Sequence, residues 1–196
     1  MAYVAPTIRS VGDAVTVADY NILVNDLIAI RAASVNVVQT LVTTSQQVTL
    51  TAASTYYEVP ALNVTITPTT NTSKIMLTGW ITYASILNAI TSWGFFRDGS
   101  VISAFQNSQA TPSARQVAQF TWNAGASFYG DTSAIATVPF TIIDSPATTS
   151  ATTYKIYGRT NSVSSPIQYI NRTRDDSDVS GTIRASSVII AKEIPV

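Results

Sequence analysis

The chain has 196 residues, only 11 % of them charged, and its 11 basic and 11 acidic side chains cancel to a formal net charge of zero. This balance offers no electrostatic footprint for nucleic acid, because phosphate binding needs clustered Lys and Arg. The absence of Cys and His excludes disulfides, thiolate metal sites, cysteine nucleophiles and the usual general base.

Hydroxyl side chains take the place of charged side chains, since the chain contains 28 Thr and 22 Ser. Mean hydropathy is +0.22. A soluble monomer usually stays apart from its neighbours by charge, so this uncharged surface predicts an oligomer whose subunits cover one another. No run of 18 apolar residues exists, and a membrane span is not expected. Residues 1–9 lack the pattern of a secretory leader, which favours synthesis and folding in the cytoplasm.

The N-terminal part predicts an extended arm over residues 1–15 and then a helix. Thr16 is a suitable N-cap, and Asp19 three residues on suits the helix dipole. The β-branched residues from 35 onward leave two alternatives: the helix continues to about residue 41, or it ends near 31–33 and extended chain follows. The apolar positions at helical spacing, here called the helix stripe, are Tyr20, Leu23, Val24, Leu27 and Ile30.

Beyond residue 46 the apolar period changes to two, which predicts strands rich in β-branched and aromatic residues. The Asp98-Gly99 pair predicts a tight hairpin turn, because both residue types tolerate the positive φ that such a turn requires. The predicted strands cover residues 47–51, 56–59, 62–67, 74–83, the hairpin 93–102, 115–129, 134–143, 152–160, 167–172 and 182–191.

Eight to ten strands with no helices between them cannot form parallel crossover units. They predict a mainly β fold, an antiparallel β-sandwich of jelly-roll type preceded by an N-terminal arm and one short α-helix. The expected division is residues 1–45 for attachment and trimerisation and residues 46–196 for the sandwich domain.

Several short motifs resemble those of tailed-bacteriophage virion proteins. The opening Gly12-x-x-Val15-Thr16 with Asn21, Val24, Asn25-Asp26-Leu27 and Arg31 is similar to an N-terminal segment of that class. The remaining motifs resemble its C-terminal jelly-roll modules: Arg97-Asp98-Gly99, the segment Asp144 to Tyr154, Ile170-Asn171-Arg172, and Ser186-Ser187 with Glu193-Ile194.

The resemblance implies a homotrimeric structural protein of a phage particle, made in the host cytoplasm and located in the virion. One role is a capsid decoration or cement protein that binds the major capsid protein, with no cofactor, nucleic acid or membrane partner. The other is the head of a tail or head fibre that recognises a host-surface glycan. We favour decoration, because only about a dozen residues separate the predicted helix from the first strand, which leaves no shaft. A cellular sugar-binding sandwich is a third possibility, but it leaves the N-terminal segment unexplained.

Catalysis is not expected. A Ser nucleophile would need one of three Lys residues, all in strand-like sequence, and most carboxylates of the chain fall in turns. A glycosidase needs only two carboxylates, so turnover of host polysaccharide stays the discriminating test. Asp176, Asp178, Ser180 and Gly181 match the first half of a calcium loop, but Ser187 occupies the position of the bidentate acid. A hairpin loop between strands ending near Thr173 and starting near Thr182 is the preferred interpretation.

The interaction residues that we predict are therefore those of the helix stripe. An amphipathic helix of this kind packs on its own core, or on sister helices or the capsid shell in a trimer.

Overall fold

The protein was examined as a computed structural model that describes residues 20–25, 36–49, 55–85, 90–102, 120–123, 133–160 and 167–196. Residues 20–25 are helical, and the rest of the described chain is organised around strands. None of the helical structure in these ranges is long and apolar enough to cross a bilayer. The strands are β1 Val37–Val42, β2 Gln46–Thr49, β3 Tyr57–Ile66, β4 Lys74–Ser85, β5 Ile90–Arg97, β6 Ser100–Val101, β7 Phe120–Asn123, β8 Ala136–Asp144, β9 Thr152–Thr160, β10 Ile167–Ile170 and β11 Ser187–Ile194.

The strands form two antiparallel sheets. Each sheet has four adjacent strand positions, here called lanes, and one lane can hold two strands end to end. In the first sheet β4 pairs with β8 on one side and with β11 and β10 on the other. β11 and β10 pair in turn with β1 and β2. In the second sheet β9 lies between β3 and β5, and the far side of β5 pairs with β6 and β7.

The order of these lanes is that of a jelly roll. When the lanes are numbered along the chain, the first sheet reads 1-8-3-6 and the second reads 2-7-4-5. This order arises when two Greek keys fold over each other. The predicted fold class, an antiparallel β-sandwich with one short helix before it, is confirmed. The predicted arm over residues 1–15 lies outside the described residues.

The core lies between the sheets and is built from the inward positions of both. Trp93 and Phe95 of β5 are fully buried, and each meets a ring of the first sheet edge to face. The Trp93 and Tyr83 ring centroids are 5.0 Å apart, and those of Phe95 and Phe140 are 5.2 Å apart. Edge-to-face contact is the preferred geometry for aromatic pairs. These rings therefore join the two sheets as well as filling the space between them.

Two local predictions are confirmed in detail. Asp98 and Gly99 have φ values of 48° and 83°, as the tight β5–β6 turn requires. The Asp98 carboxylate also accepts the Thr153 amide at 2.8 Å, which ties the turn to β9. The predicted strand at 152–160 is β9.

Other element boundaries differ from the predictions. β1 begins at Val37 and pairs along its whole length with β11, so the first sheet starts ahead of residue 46. The β-branched residues favour extended chain there, which is the second of the two alternatives for the end of the helix. The predicted strands 56–59 and 62–67 are one strand, β3, whose register shifts between Glu58 and Asn63. Ala61 has a φ of 61° within that shift.

The final strand also begins later than predicted. Residues 182–186 form the return arm of a hairpin, and β11 starts at Ser187. The Thr173 amide donates to the Ile183 carbonyl at 3.1 Å, and Arg172 forms an antiparallel bridge with Arg184. The predicted hairpin loop is thus confirmed, and residues 174–182 at its tip are here called the excursion loop. The predicted strand 115–129 is described only at β7, which lies within it.

Asn171 joins the two halves of the first sheet at the base of this hairpin. Its side-chain nitrogen donates to the carbonyl oxygens of Val42 at 2.8 Å and Thr44 at 3.1 Å, where β1 gives way to β2. Its side-chain oxygen accepts the Ser187 hydroxyl at 2.6 Å, and the Ser187 oxygen accepts the Thr82 amide. Asn171 has a φ of 60°, a conformation that Asn tolerates better than most residues.

Asp144 joins the two sheets at the end of β8. Its carboxylate accepts the guanidinium of Arg97 at 2.7 Å and the hydroxyl of Tyr154 at 2.8 Å. Asp144 and Tyr154 are both buried, and burial followed by the hydrogen bond to Asp144 raises the pKa of the Tyr154 hydroxyl. The phenol therefore stays a donor at all ordinary pH values.

Glu193 on β11 holds the turn that leads into β4. Its Oε1 accepts the Thr69 amide at 2.7 Å and the Thr69 hydroxyl at 2.6 Å. Burial raises the pKa of this carboxyl, but hydrogen bonds from Ser73, Thr69 and the Thr70 amide outweigh it and hold the pKa below its ordinary value. The carboxylate form thus stabilises the fold.

We predict that Asn171→Ala lowers the free energy of unfolding by about 2–4 kcal/mol, because it removes three side-chain hydrogen bonds and places alanine at a positive φ. Urea unfolding followed by circular dichroism measures this. The control is Thr65→Ala, which removes an exposed hydroxyl pair with Thr153 and should cost no more than about 0.5 kcal/mol. Equal effects from the two variants would contradict the role of Asn171.

We also predict acid sensitivity from Glu193. Because its folded pKa is below the ordinary value of 4.5, its contribution is full above pH 4.5 and is lost as the pH falls through the folded pKa. Glu193→Gln should lower stability at pH 7 by about 1 kcal/mol and flatten the decline between neutral and acid pH. Thermal unfolding of both proteins across this range tests it. A variant whose stability declines as steeply as the parent's would show that other groups cause the acid sensitivity.

Candidate interaction surfaces

The outer face of the first sheet exposes four large apolar side chains. Pairing registers place its outward side chains in three rows of four, one from each lane. Leu41, Val37 and Ile143 are each about half exposed, at 53 %, 54 % and 49 %, and Trp80 is 40 % exposed. The rows, here called the apolar face, are Val37, Lys192, Met76 and Ile143; Gln39, Ile190, Thr78 and Thr141; and Leu41, Val188, Trp80 and Pro139.

One charged residue, Lys192, stands among the twelve positions of the apolar face. The middle row has the Thr78–Thr141 pair on its β4 and β8 positions, and Ile190 and Gln39 on its β11 and β1 positions. The outer rows are four residues apart along β4, which is about 13 Å at the rise of a strand.

Three polar side chains of the apolar face, those of Thr78, Thr141 and Trp80, are bonded within the sheet. The hydroxyls of Thr78 and Thr141 lie 3.1 Å apart, and both also bond the Phe140 carbonyl. The indole N–H of Trp80 donates to the Ser186 carbonyl at 3.1 Å. Covering an exposed polar group costs free energy when it loses its water without gaining a partner. These three groups already have partners, so a neighbouring molecule can cover them at little polar cost.

The row beyond the apolar face continues the same arrangement. The hydroxyl of Thr82 lies 2.9 Å from that of Thr137 and also donates to the Ser186 carbonyl at 2.9 Å. Hydroxyl side chains on adjacent strands thus bond each other rather than water. On the first sheet, the abundance of Thr and Ser in the sequence thus leads to hydrogen bonds between the hydroxyls of adjacent strands.

The predicted helix stripe is described only in its first half. Tyr20 and Leu23 are 63 % and 68 % exposed, and Val24 is half-buried. Leu27 and Ile30 lie outside the described residues. The first two side chains are therefore not covered by the rest of the chain, and the predicted role of the stripe in interaction stays a prediction.

The outer face of the second sheet is different, because it carries aromatic and charged side chains together. The Phe96 ring stacks on Tyr157 with centroids 3.9 Å apart and meets Tyr56 edge to face at 5.4 Å. The Arg159 guanidinium lies 4.8 Å from the Tyr56 ring centre, and Gly94 leaves the space that this ring fills. We call Tyr56, Phe96, Tyr157 and Arg159 the aromatic cluster.

Charged neighbours complete this second surface. Glu58 accepts the Lys155 ammonium at 2.9 Å and lies 3.4 Å from the Tyr157 hydroxyl. Burial and then the Glu58 charge raise the pKa of the Tyr157 hydroxyl, whereas the hydrogen bond to Glu58 raises the pKa of Lys155. The Glu58, Lys155 and Tyr157 side chains therefore pair with one another and form an ordered layer on the outer face of the second sheet.

The other sequence candidates are placed in structural roles. Asp176 of the partial calcium loop forms ion pairs with Arg172, at 3.5 Å, and with Arg184. Asp175 accepts the Ser177 amide at 3.0 Å. Among the described residues no three carboxylates come together as a metal site would need. Of the three Trp residues, Trp93 is in the core and Trp80 is on the apolar face. The Trp122 side chain is not among those that the structure describes.

Sequence reasoning missed both outer faces. It took the helix stripe as the interaction surface because a helical period is visible within one segment. The apolar face combines residues of four strands that are far apart in sequence, and only their pairing registers bring them together. The signal available was the presence of aliphatic residues at outward positions of β1 and β8, where a lone sandwich would carry polar residues.

The chain matches no protein-family model and no curated protein sequence. Among solved structures it is similar to the VP2 protein of infectious bursal disease virus. In the subviral particle the identity is 11 % and the TM-score 0.41, over 83 % of this chain and 33 % of VP2. For the Gx and Gt strains the identities are 14 % and 10 %, the TM-scores 0.39 and 0.40, and the coverages 81 % and 84 % of this chain and 37 % and 39 % of theirs. The chain thus spans little more than a third of these proteins, and its jelly-roll assignment rests on its own strand order.

Proposed function

We propose that this protein is a structural component of a phage virion, a homotrimeric decoration protein that binds the major capsid protein on the outside of the shell and stabilises it. The observation that carries this proposal is the apolar face, whose half-exposed Val37, Leu41 and Ile143 lie beside Thr78, Thr141 and Trp80, three polar side chains already bonded within the sheet. The resemblance of the short motifs to virion proteins supports the assignment of the protein to a phage particle. The part of residues 1–45 that precedes β1 serves in attachment, and the protein is not an enzyme.

The energetic argument favours assembly. Fully burying one large aliphatic side chain contributes about 1.5–3 kcal/mol. Val37, Leu41 and Ile143 leave about half of their surface to water in the single chain. Covering such side chains in each of three copies therefore contributes several kcal/mol, and the pre-formed hydrogen bonds of the face reduce the opposing cost.

The compact body favours decoration over a fibre. The helical residues 20–25 and the start of β1 at Val37 are separated by only eleven residues of sequence, which are too few for a shaft. A body of this size suits the junctions between capsid subunits, where contacts from arm and sandwich add through avidity.

We predict that Ile143→Asp weakens self-association and particle binding at least about tenfold, because it replaces a half-exposed apolar side chain of a covered surface by a charge. Sedimentation velocity and co-sedimentation with undecorated particles measure the two effects. The matched control is Val179→Asp on the excursion loop, where the exposed side chain leaves room for a charge. Both variants should unfold within about 0.5 kcal/mol of the parent. Normal assembly of Ile143→Asp would refute the role of this face.

A second prediction concerns location. In purified particles, the molar amount of the protein should scale with the major capsid protein, because decoration sites repeat over the whole shell. A fibre head would instead scale with a tail or vertex protein. Quantitative gel analysis of purified particles separates the two, and an amount matching the tail proteins would overturn the decoration proposal.

The aromatic cluster favours a second candidate function, a fibre head that recognises a host-surface glycan, because aromatic rings beside charged side chains suit the mixed surface of a sugar. Tyr157→Ala distinguishes the two functions. Under the decoration proposal it leaves particle binding unchanged. Under the fibre alternative it removes adhesion of the protein to host cells, measured by pull-down with whole cells.

A further inference from the structure

The outer edge of β1 is a free strand edge in the described part of the chain. β1 lies at one side of the first sheet and pairs with β11 alone. No described turn or loop makes a backbone hydrogen bond to the far side of this strand. Such an edge presents backbone N–H and C=O groups that can pair with a strand of another molecule.

Hydrogen bonds at the two ends of β1 show which residues face this edge. The Asn36 carbonyl accepts the Glu193 amide at 2.8 Å, and the Val42 carbonyl accepts the side-chain nitrogen of Asn171 at 2.8 Å. Both donors lie on the β11 side of the strand. Because backbone groups alternate between the two sides of an antiparallel strand, the odd-numbered residues face the free edge. These residues are Val37, Gln39 and Leu41.

The opposite edge of the same sheet is blocked by a proline. Thr82 of β4 directs its amide to Ser187 and its carbonyl to the Asn171 amide, which are both on the side away from β8. The neighbouring residues of β4 therefore bond β8, and Pro139, which lies opposite Trp80, faces the free edge of β8. Proline has no N–H, so it interrupts that edge at its centre.

The other outer strands of the described sandwich are irregular or short. On β3 the register shifts between Glu58 and Asn63, and the shifted segment contains Pro60 and Ala61, whose φ is 61°. The strands β2, β6 and β7 have four, two and four residues. Bulges, prolines and short length all oppose the addition of a strand. β1 has six residues, with neither a proline nor a charge among them, so its edge is open.

We infer that β1 of one copy pairs antiparallel with β1 of a second copy across a two-fold axis at Gln39. In this register Gln39 lies opposite Gln39 of the second copy, and Val37 lies opposite Leu41 of the second copy. All three residues direct their backbone groups outward, so each opposed pair can exchange both N–H···O bonds. The edge is therefore complementary to itself, as an isologous contact requires.

This inference goes beyond the proposed function and does not depend on it. A two-fold contact joins copies in pairs, whereas a trimer closes through a heterologous contact made by other surfaces. The two contacts are compatible in one assembly. In a decorated shell the β1 pairing would link neighbouring trimers.

The side chains beside the edge fit the same register. Val37 and Leu41 are 54 % and 53 % exposed in the single chain. Pairing places Val37 of each copy directly opposite Leu41 of the other on one face of the joined sheet. Opposed apolar residues of this kind stabilise an antiparallel pair of strands. The two Gln39 side chains are also opposed, and each amide group can both donate and accept a hydrogen bond.

The charges of the neighbouring strands do not oppose the pairing. β1 carries none, and the charged residues of β11 and β3 are Lys192, Glu193 and Glu58. Glu193 is buried, and Glu58 is paired with Lys155. Lys192 lies in the row of Val37, and in the pairing the second copy contributes Leu41 and then Val188 to that row. The two Lys192 side chains thus lie in different rows, about 13 Å apart along the strands.

The absence of native Cys makes this register directly testable. Val37→Cys and Leu41→Cys proteins with tags of different size are mixed and oxidised, and mixed dimers are measured on a non-reducing denaturing gel. Residues opposed in a hydrogen-bonded antiparallel pair have Cα atoms about 5.5 Å apart, within the reach of a disulfide. The control mixes Val37→Cys with Val101→Cys, an exposed position on β6. We expect at least about five times more mixed dimer from the first mixture.

Gln39→Pro is the matched blocking variant. The Gln39 amide faces away from β11, so proline at this position breaks no hydrogen bond of the β1–β11 ladder but removes a donor from the free edge. Added to both Cys variants, it should lower the yield of mixed dimer at least about fivefold, with the strand content by circular dichroism unchanged. If the blocked proteins do not fold, the comparison of the two mixtures decides the inference alone.

Three outcomes would overturn the inference. Equal yields from the two mixtures would mean random collision. Self-linked Val37→Cys dimers in excess of mixed dimers would mean a parallel or shifted register. A yield that the folded Gln39→Pro proteins maintain would mean that backbone pairing is not the contact.

Particle binding distinguishes this inference from the proposed function. The parent protein and Gln39→Pro are each sedimented with undecorated particles. If the parent binds particles and the mixed disulfide does not form, the β1 pairing is wrong and the decoration proposal stands. If the disulfide forms in the expected register and the parent does not bind particles, the pairing stands and the decoration proposal fails.

Discussion

The arrangement of the first sheet depends on one buried side chain, Asn171. Two lanes of this sheet are each made of two strands end to end. Such a lane keeps its pairing register only if the chain is fixed in place at the break between its two strands. Asn171 does so by bonding the chain at the break in one lane and Ser187 at the restart of the other. The rows of the apolar face follow from that register. A slip by a single residue would turn those side chains into the core.

Local features of the fold could be predicted from the sequence because they depend on short segments. The Asp98-Gly99 turn and the strand Thr152–Thr160 follow from residue types and a period of two, and the absence of helices between strands requires antiparallel sheets. Lane order and the apolar face could not be predicted. The contact between Thr78 and Thr141 is set by the pairing register of β4 and β8, which no local pattern encodes.

The short motifs that resemble virion proteins have structural roles at the joints of the sandwich. Arg97 and Tyr154 meet on Asp144, which links the two sheets, and Glu193 holds the turn before β4 through Thr69. Such residues are recognisable in sequence because few alternatives satisfy the same buried hydrogen bonds. They define the architecture, whereas the outer faces of the sheets can accept many different side chains.

The hairpin that carries the excursion loop allows this loop to change in length without a change in the fold of the sandwich. Its base is closed by the Arg172–Arg184 bridge and by the bond from the Thr173 amide to Ile183, and β11 begins in register only after that closure. Extra residues at the tip would lengthen a loop whose ends are already joined, and the entropic cost of such lengthening rises slowly. The tip is therefore a natural place for evolution or engineering to insert a peptide without altering the sandwich beneath it.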